Sequence, residues 1–66
     1  MNQQVANTIE ELLNINEEYL KIVNEIKESN LSEKAKNVSI SLFEIQIKAN
    51  NETSRGLIKA SVVGIK

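Results

Sequence analysis

Few side chains in this sequence could carry chemistry, and their pattern argues against catalysis. The chain has no histidine, cysteine or aspartate, so the commonest general base, the thiol nucleophile and the commonest zinc ligands are missing. Its adjacent glutamates occur as the pairs Glu10–Glu11 and Glu17–Glu18. Helical spacing places both pairs on an outward polar face, where carboxylates are solvated rather than gathered in a cleft. We therefore expect no enzymatic activity, no metal and no cofactor.

The glutamate pairs belong to a stretch with a heptad pattern. Seven residues recur along it at alternating steps of four and three, and we call them the first seam: Val5, Ile9, Leu12, Asn16, Tyr19, Val23 and Ile26. This spacing predicts an amphipathic helix that packs along its whole length and ends near Glu28. We interpret the first seam as the self-interface of a homo-oligomer.

Two features of the first seam bear on its partners. Leu13 and Leu20 lie beside it on one side, and Ile15 and Ile22 on the other, so the apolar arc is wider than a two-stranded coiled coil needs. Such a helix is expected to touch two neighbours, one of them from another chain. Asn16 at a core position would fix register or strand number through an amide partner in its layer. The alternative is that Asn16 faces solvent at a helix edge.

A short polar segment then interrupts the pattern. Ser29, Asn30 and Ser32 punctuate the chain, and Asn30 with Glu33 reads as a capping box. We predict a second helix from about Leu31. Because short connections between helices place them side by side and antiparallel, the two halves should form a hairpin.

The second half has apolar residues on two opposite helical faces. One face repeats at heptad spacing, through Leu31, Ala35, Val38, Leu42, Ile45 and Ala49. The other carries Ile40, Phe43 and Ile47. One face can pack on the first helix while the other meets a second molecule. We take Ile40, Phe43 and Ile47 as candidates for partner binding, with Phe43 as the anchor. Ordinary core packing is the alternative role of Phe43.

The predicted fold is all-α: an antiparallel helical hairpin that self-associates into a helical bundle. The alternative is α+β, because the same residues also alternate as a strand with a bulge. In that fold a β-hairpin would pair Val38–Ala49 with Leu57–Ile65, across a turn at Asn50–Gly56.

Size supports self-association, and the distribution of charge supports the hairpin. Sixty-six residues form a single small helical domain (1–66), and without disulfides or metals such domains usually rely on oligomerisation. Residues 1–30 hold six glutamates against two lysines, whereas residues 31–66 hold five lysines and one arginine against three glutamates. The acidic half suits packing against the basic half. With neither a leader pattern nor a membrane-spanning run, we expect a cytoplasmic protein that does not bind membranes.

These observations predict a small non-enzymatic interaction module that binds a protein partner, or a small ligand between subunits. A composition rich in Asn, Ile and Lys is typical of AT-rich coding, so we expect a bacterial, phage or plasmid inhibitor or regulator. One alternative is a DNA-binding transcriptional regulator that uses Lys34, Lys36 and Lys48. However, a net charge of −1 provides little attraction for phosphate, which makes nucleic acid an unfavoured partner. Another alternative is a structural subunit of a larger assembly.

Overall fold

A computed structural model describes residues 3–64, which form two helices joined by a short connection. Helix α1 spans Gln3–Lys27 and helix α2 spans Glu33–Gly64. The two helices are antiparallel. The end of α1 contacts the start of α2 through Lys27 and Lys36, whereas the middle of α1 contacts a later part of α2 through Asn16 and Asn50. The predicted all-α antiparallel hairpin is therefore confirmed.

The α+β alternative is wrong for the described residues. Val38–Ala49 lies inside α2, and so does the second proposed strand up to Gly64; Ile65 lies outside the described residues. The helix wins over β-propensity because helical spacing gathers Ile40, Phe43 and Ile47 on one side, where each is half-buried. A strand would bring these residues to one face only with a bulge at Leu42–Phe43, whereas a regular helix does so without one.

Three hydrogen bonds to the carbonyl groups of Ile26 and Lys27 cap the C-terminal end of α1. The backbone N–H and the hydroxyl of Ser29 both donate to the Ile26 carbonyl, at 3.1 and 2.6 Å. The Lys36 ammonium donates to the Lys27 carbonyl at 3.1 Å. These donors satisfy carbonyls that the helix cannot pair internally, and they tie the end of α1 to the start of α2.

Ser32 caps the start of α2. The Ala35 N–H donates to the Ser32 hydroxyl at 3.2 Å, and the Lys36 N–H donates to the Ser32 carbonyl at 2.9 Å. The sequence assigned this role to Asn30, two residues too early. Both residue types are good N-caps, and only the position of the first helical turn distinguishes them.

Helix α2 continues without a break through Asn50–Gly56, which the α+β alternative takes as a turn. Asn50 and Asn51 could have kinked or ended it, but their side chains bond across to α1 instead. Gly56 also lies inside the helix, and a Cβ built there would meet nothing within 4 Å. The glycine is therefore not required by packing within the hairpin.

Replacing Gly56 with alanine should stabilise the chain. Alanine gains about 1 kcal/mol over glycine in a helix interior, and no atom opposes the new methyl group. Thermal melting followed by circular dichroism, at fixed chain concentration, should show the midpoint rise by roughly 4–8 °C. The matched control is Ala60→Gly, an exposed site on the same helix, which should lower it. An unchanged or lower midpoint for Gly56→Ala would contradict a continuous helix at this point.

The hairpin is long and thin, and its core is small. Its extents are 53 × 16 × 10 Å and its radius of gyration is 15.4 Å, against about 11 Å for a compact domain of this length. Among the described residues, Val23 is the one apolar side chain that counts as buried, with 6% exposed. The two helices alone therefore cover little apolar surface.

Candidate interaction surfaces

The first seam lies in the contact between the two helices of the same chain. Asn16 and Val23 are buried, and the other members, Val5, Ile9, Leu12, Tyr19 and Ile26, are half-buried. The heptad spacing thus identified the packed face of α1. The partner that the structure places against this face is α2.

The side of α2 that faces this seam carries Ile40, Phe43 and Ile47, all half-buried. The rings of Phe43 and Tyr19 lie with centroids 5.2 Å apart and planes tilted by 55°. This separation and tilt are typical of favourable aromatic pairs. The hairpin therefore brings the partner-binding candidates of α2 against the first seam of α1.

A cluster of amides crosses the helix contact near its middle. The Asn50 amide donates to the Asn16 side-chain oxygen at 3.0 Å, and the Asn16 amide donates to the Asn51 side-chain oxygen at 3.0 Å. The Gln46 amide donates to the Asn50 side-chain oxygen at 3.1 Å. Asn16 and Asn50 are only 7% and 8% exposed. The layer partner that Asn16 requires is therefore supplied by α2.

Ser54 follows the cluster along α2 and is also buried, at 7% exposed. Within the described residues, the Ser54 hydroxyl oxygen is buried and has no hydrogen-bond partner. The sequence-based predictions included neither the hydrogen bonds of Asn50 nor the burial of Ser54. The available signal was Asn16 itself, because an amide in an apolar seam needs a polar partner on the facing helix.

The opposite side of α2 exposes an apolar row that we call the outer stripe. It consists of Ala35, Val38, Leu42, Ile45 and Ala49 of α2, together with Leu31, which continues the heptad spacing in the connection two residues before the helix. Ala35 is half-buried, but the four large side chains are more than half exposed, up to 64% for Leu42 and 66% for Ile45. Four large apolar residues at regular spacing form a continuous strip rather than the scattered exposure normal for monomers.

The flanks of α1 are exposed as well. Leu13 and Leu20 are 49% and 53% exposed, and Ile15 and Ile22 are also accessible. The prediction that α1 has more apolar arc than one neighbour can cover therefore agrees with the hairpin, in which α2 leaves both flanks open.

Some basic side chains of α2 make contacts within the hairpin and others are exposed to solvent. Lys36 serves the end of α1, whereas Lys34 and Lys48 are exposed. Nearer the end of the helix, Arg55, Ile58, Lys59 and Val62 line a depression of about 490 Å³ that is open to solvent. Its lining is mixed basic and apolar, without the enclosure that holds a small ligand.

These features define a class of architecture, a two-helix hairpin with uncovered apolar surface. No protein family, curated protein or solved structure matches this chain. Over residues 3–64, neither helix is long and apolar enough to cross a bilayer.

Proposed function

We propose that this chain is a small non-enzymatic helical module that self-associates and, as an oligomer, binds a protein partner. The observation that carries the proposal is that ten large apolar side chains among the described residues are exposed, four of them in the outer stripe. Exposed apolar surface of this extent marks interaction sites. We place the module among bacterial, phage or plasmid inhibitors or regulators on size and class alone.

The surface area of the chain supports self-association. A folded monomer of 7.4 kDa is expected to expose about 4,200 Å², whereas this chain exposes 5198 Å². The excess of about 1,000 Å² is close to the ~800 Å² that each partner contributes to a standard interface. Burying that area against a second chain would bring the exposed surface of each chain close to the value expected for a folded monomer of its size.

Sedimentation equilibrium of the purified chain tests the proposal. We expect a dimer or larger species over a broad range of concentration, with a melting temperature that rises with concentration, since association stabilises the folded state by mass action. A monomer that melts cooperatively, at a temperature independent of concentration, would overturn it.

A further inference from the structure

We infer that the outer stripe of α2 binds the outer stripe of a second copy, with the two α2 helices antiparallel. The inference rests on the proposed self-association and assigns it a surface. The first seam is occupied within the hairpin by α2, so the free heptad surface is the outer stripe. Within α2 the heptad spacing runs over 15 residues, from Ala35 to Ala49, and Leu31 continues it just before the helix. Such spacing is the pattern of a helix that packs on another helix.

The order of residue sizes in the outer stripe makes it complementary to itself. Antiparallel pairing about a twofold axis near residue 40 joins positions whose numbers differ from 40 by equal amounts. Within the helices, Ala35 of one copy then faces Ile45 of the other, and Val38 faces Leu42. Leu31, two residues before α2, comes opposite Ala49 at each end of the contact. Every layer is apolar, and two of the three layer types combine a large with a small side chain, which is the arrangement that fills a helix contact evenly.

Charges at the edge of this pairing are compatible with it and predict a salt effect. The same register places the exposed Lys34 of one copy near Lys48 of the other, with serines and Gln46 at the remaining flanking positions. Repulsion between solvated lysines is weak and is reduced by salt. The dimer should therefore tighten moderately as ionic strength rises, whereas binding to DNA would weaken.

Cysteine cross-linking tests the register, because the natural chain has no cysteine and both sites are exposed in the hairpin. Val38→Cys and Leu42→Cys chains are prepared separately, mixed in the reduced state and oxidised with glutathione. Antiparallel pairing sets these two positions in one layer, within reach of a disulfide. We expect the mixed Val38–Leu42 disulfide to exceed both self-disulfides, as read by mass spectrometry.

The matched control is a mixture of Leu13→Cys and Leu20→Cys, which are leucine sites of α1 with about half of each side chain exposed. It should give no preferred cross-link. If the Val38–Leu42 pair cross-links no faster than this control, the outer stripe is not the interface. If each single variant instead cross-links mainly to itself, the helices are parallel and the proposed register is wrong.

Charge substitution gives a second, independent readout. Leu42→Glu should raise the dissociation constant of the dimer at least ~100-fold, since each dimer loses two buried leucines and gains two buried carboxylates. Leu20→Glu should leave it within about threefold, because substitutions at exposed sites away from a contact have small effects.

The outcomes separate this inference from the proposed function. A wild-type chain that is monomeric overturns both. A wild-type oligomer that survives Leu42→Glu but dissociates with Leu20→Glu retains self-association and overturns the outer stripe as its surface.

Discussion

Replacing Phe43 with alanine is expected to destabilise the hairpin by roughly 2–3 kcal/mol, somewhat below the 3–5 kcal/mol typical of fully buried phenylalanines. Phe43 is half-buried and packs its ring on Tyr19, so truncation removes part of the contact between the helices. The measurement is urea unfolding followed by circular dichroism at a fixed chain concentration, because association contributes to the apparent stability.

The result also decides between the two roles that the sequence allowed for Phe43. A side chain that serves only to anchor a partner can be truncated without loss of stability in the isolated protein. Leu13→Ala, at an exposed flank of α1, is the control and should cost under about 0.5 kcal/mol. If Phe43→Ala costs no more than this control, the ring does not hold the two helices together.

A double-mutant cycle isolates the ring contact from simple loss of apolar area. Tyr19→Ala and Phe43→Ala should each destabilise the chain, and the double variant should cost less than their sum by about 0.5–1.5 kcal/mol, the usual coupling of an aromatic pair. Strict additivity would mean that the 5.2 Å approach of the two rings contributes no specific energy.

Replacing Asn16 with leucine is expected to destabilise the hairpin, although a gain in buried apolar surface alone would stabilise it. The substitution removes the oxygen that accepts from the Asn50 amide, and Asn50 is buried. A buried donor left without a partner costs about 1–3 kcal/mol. We therefore expect Asn16→Leu to lower the free energy of unfolding, although leucine is the more apolar residue.

Removing both amides should reverse that loss. In the double variant Asn16→Leu/Asn50→Leu no buried donor is orphaned, and replacing both partners of a buried hydrogen bond is often neutral or stabilising. Gln46, which donates to Asn50, is exposed and can bond to water instead.

Asn51→Leu provides the matched control for the amide cluster. Asn51 accepts from Asn16 but is itself exposed, so its loss should cost under about 1 kcal/mol. Chemical denaturation of the wild type, Asn16→Leu, Asn50→Leu and the double variant completes the cycle. Destabilisation by the double variant equal to the sum of the single ones would show that the Asn16–Asn50 bond does not couple the helices.

The sequence by itself determined the architecture. The heptad spacing from Val5 to Ile26 predicted both α1 and its inward face, because residues that repeat close to the helical period fall on one side of a helix. The polar connection around Ser29 and Ser32 predicted the antiparallel hairpin, because a short connection does not allow the second helix to run parallel to the first. These features are local, so the chain order alone carries them.

Only the tertiary structure decided which side of α2 packs against α1. Periodicity favours the outer stripe at least as strongly as the Phe43 side, since both repeat at helical spacing. The choice depends on what α1 presents: Tyr19 is matched by the ring of Phe43, and Asn16 by the amides of Asn50 and Asn51. Turning the outer stripe inward would bury Asn16 against aliphatic side chains, at the full cost of an unpaired amide. That cost arises between residues more than thirty positions apart, which is why no pattern within α2 could reveal it.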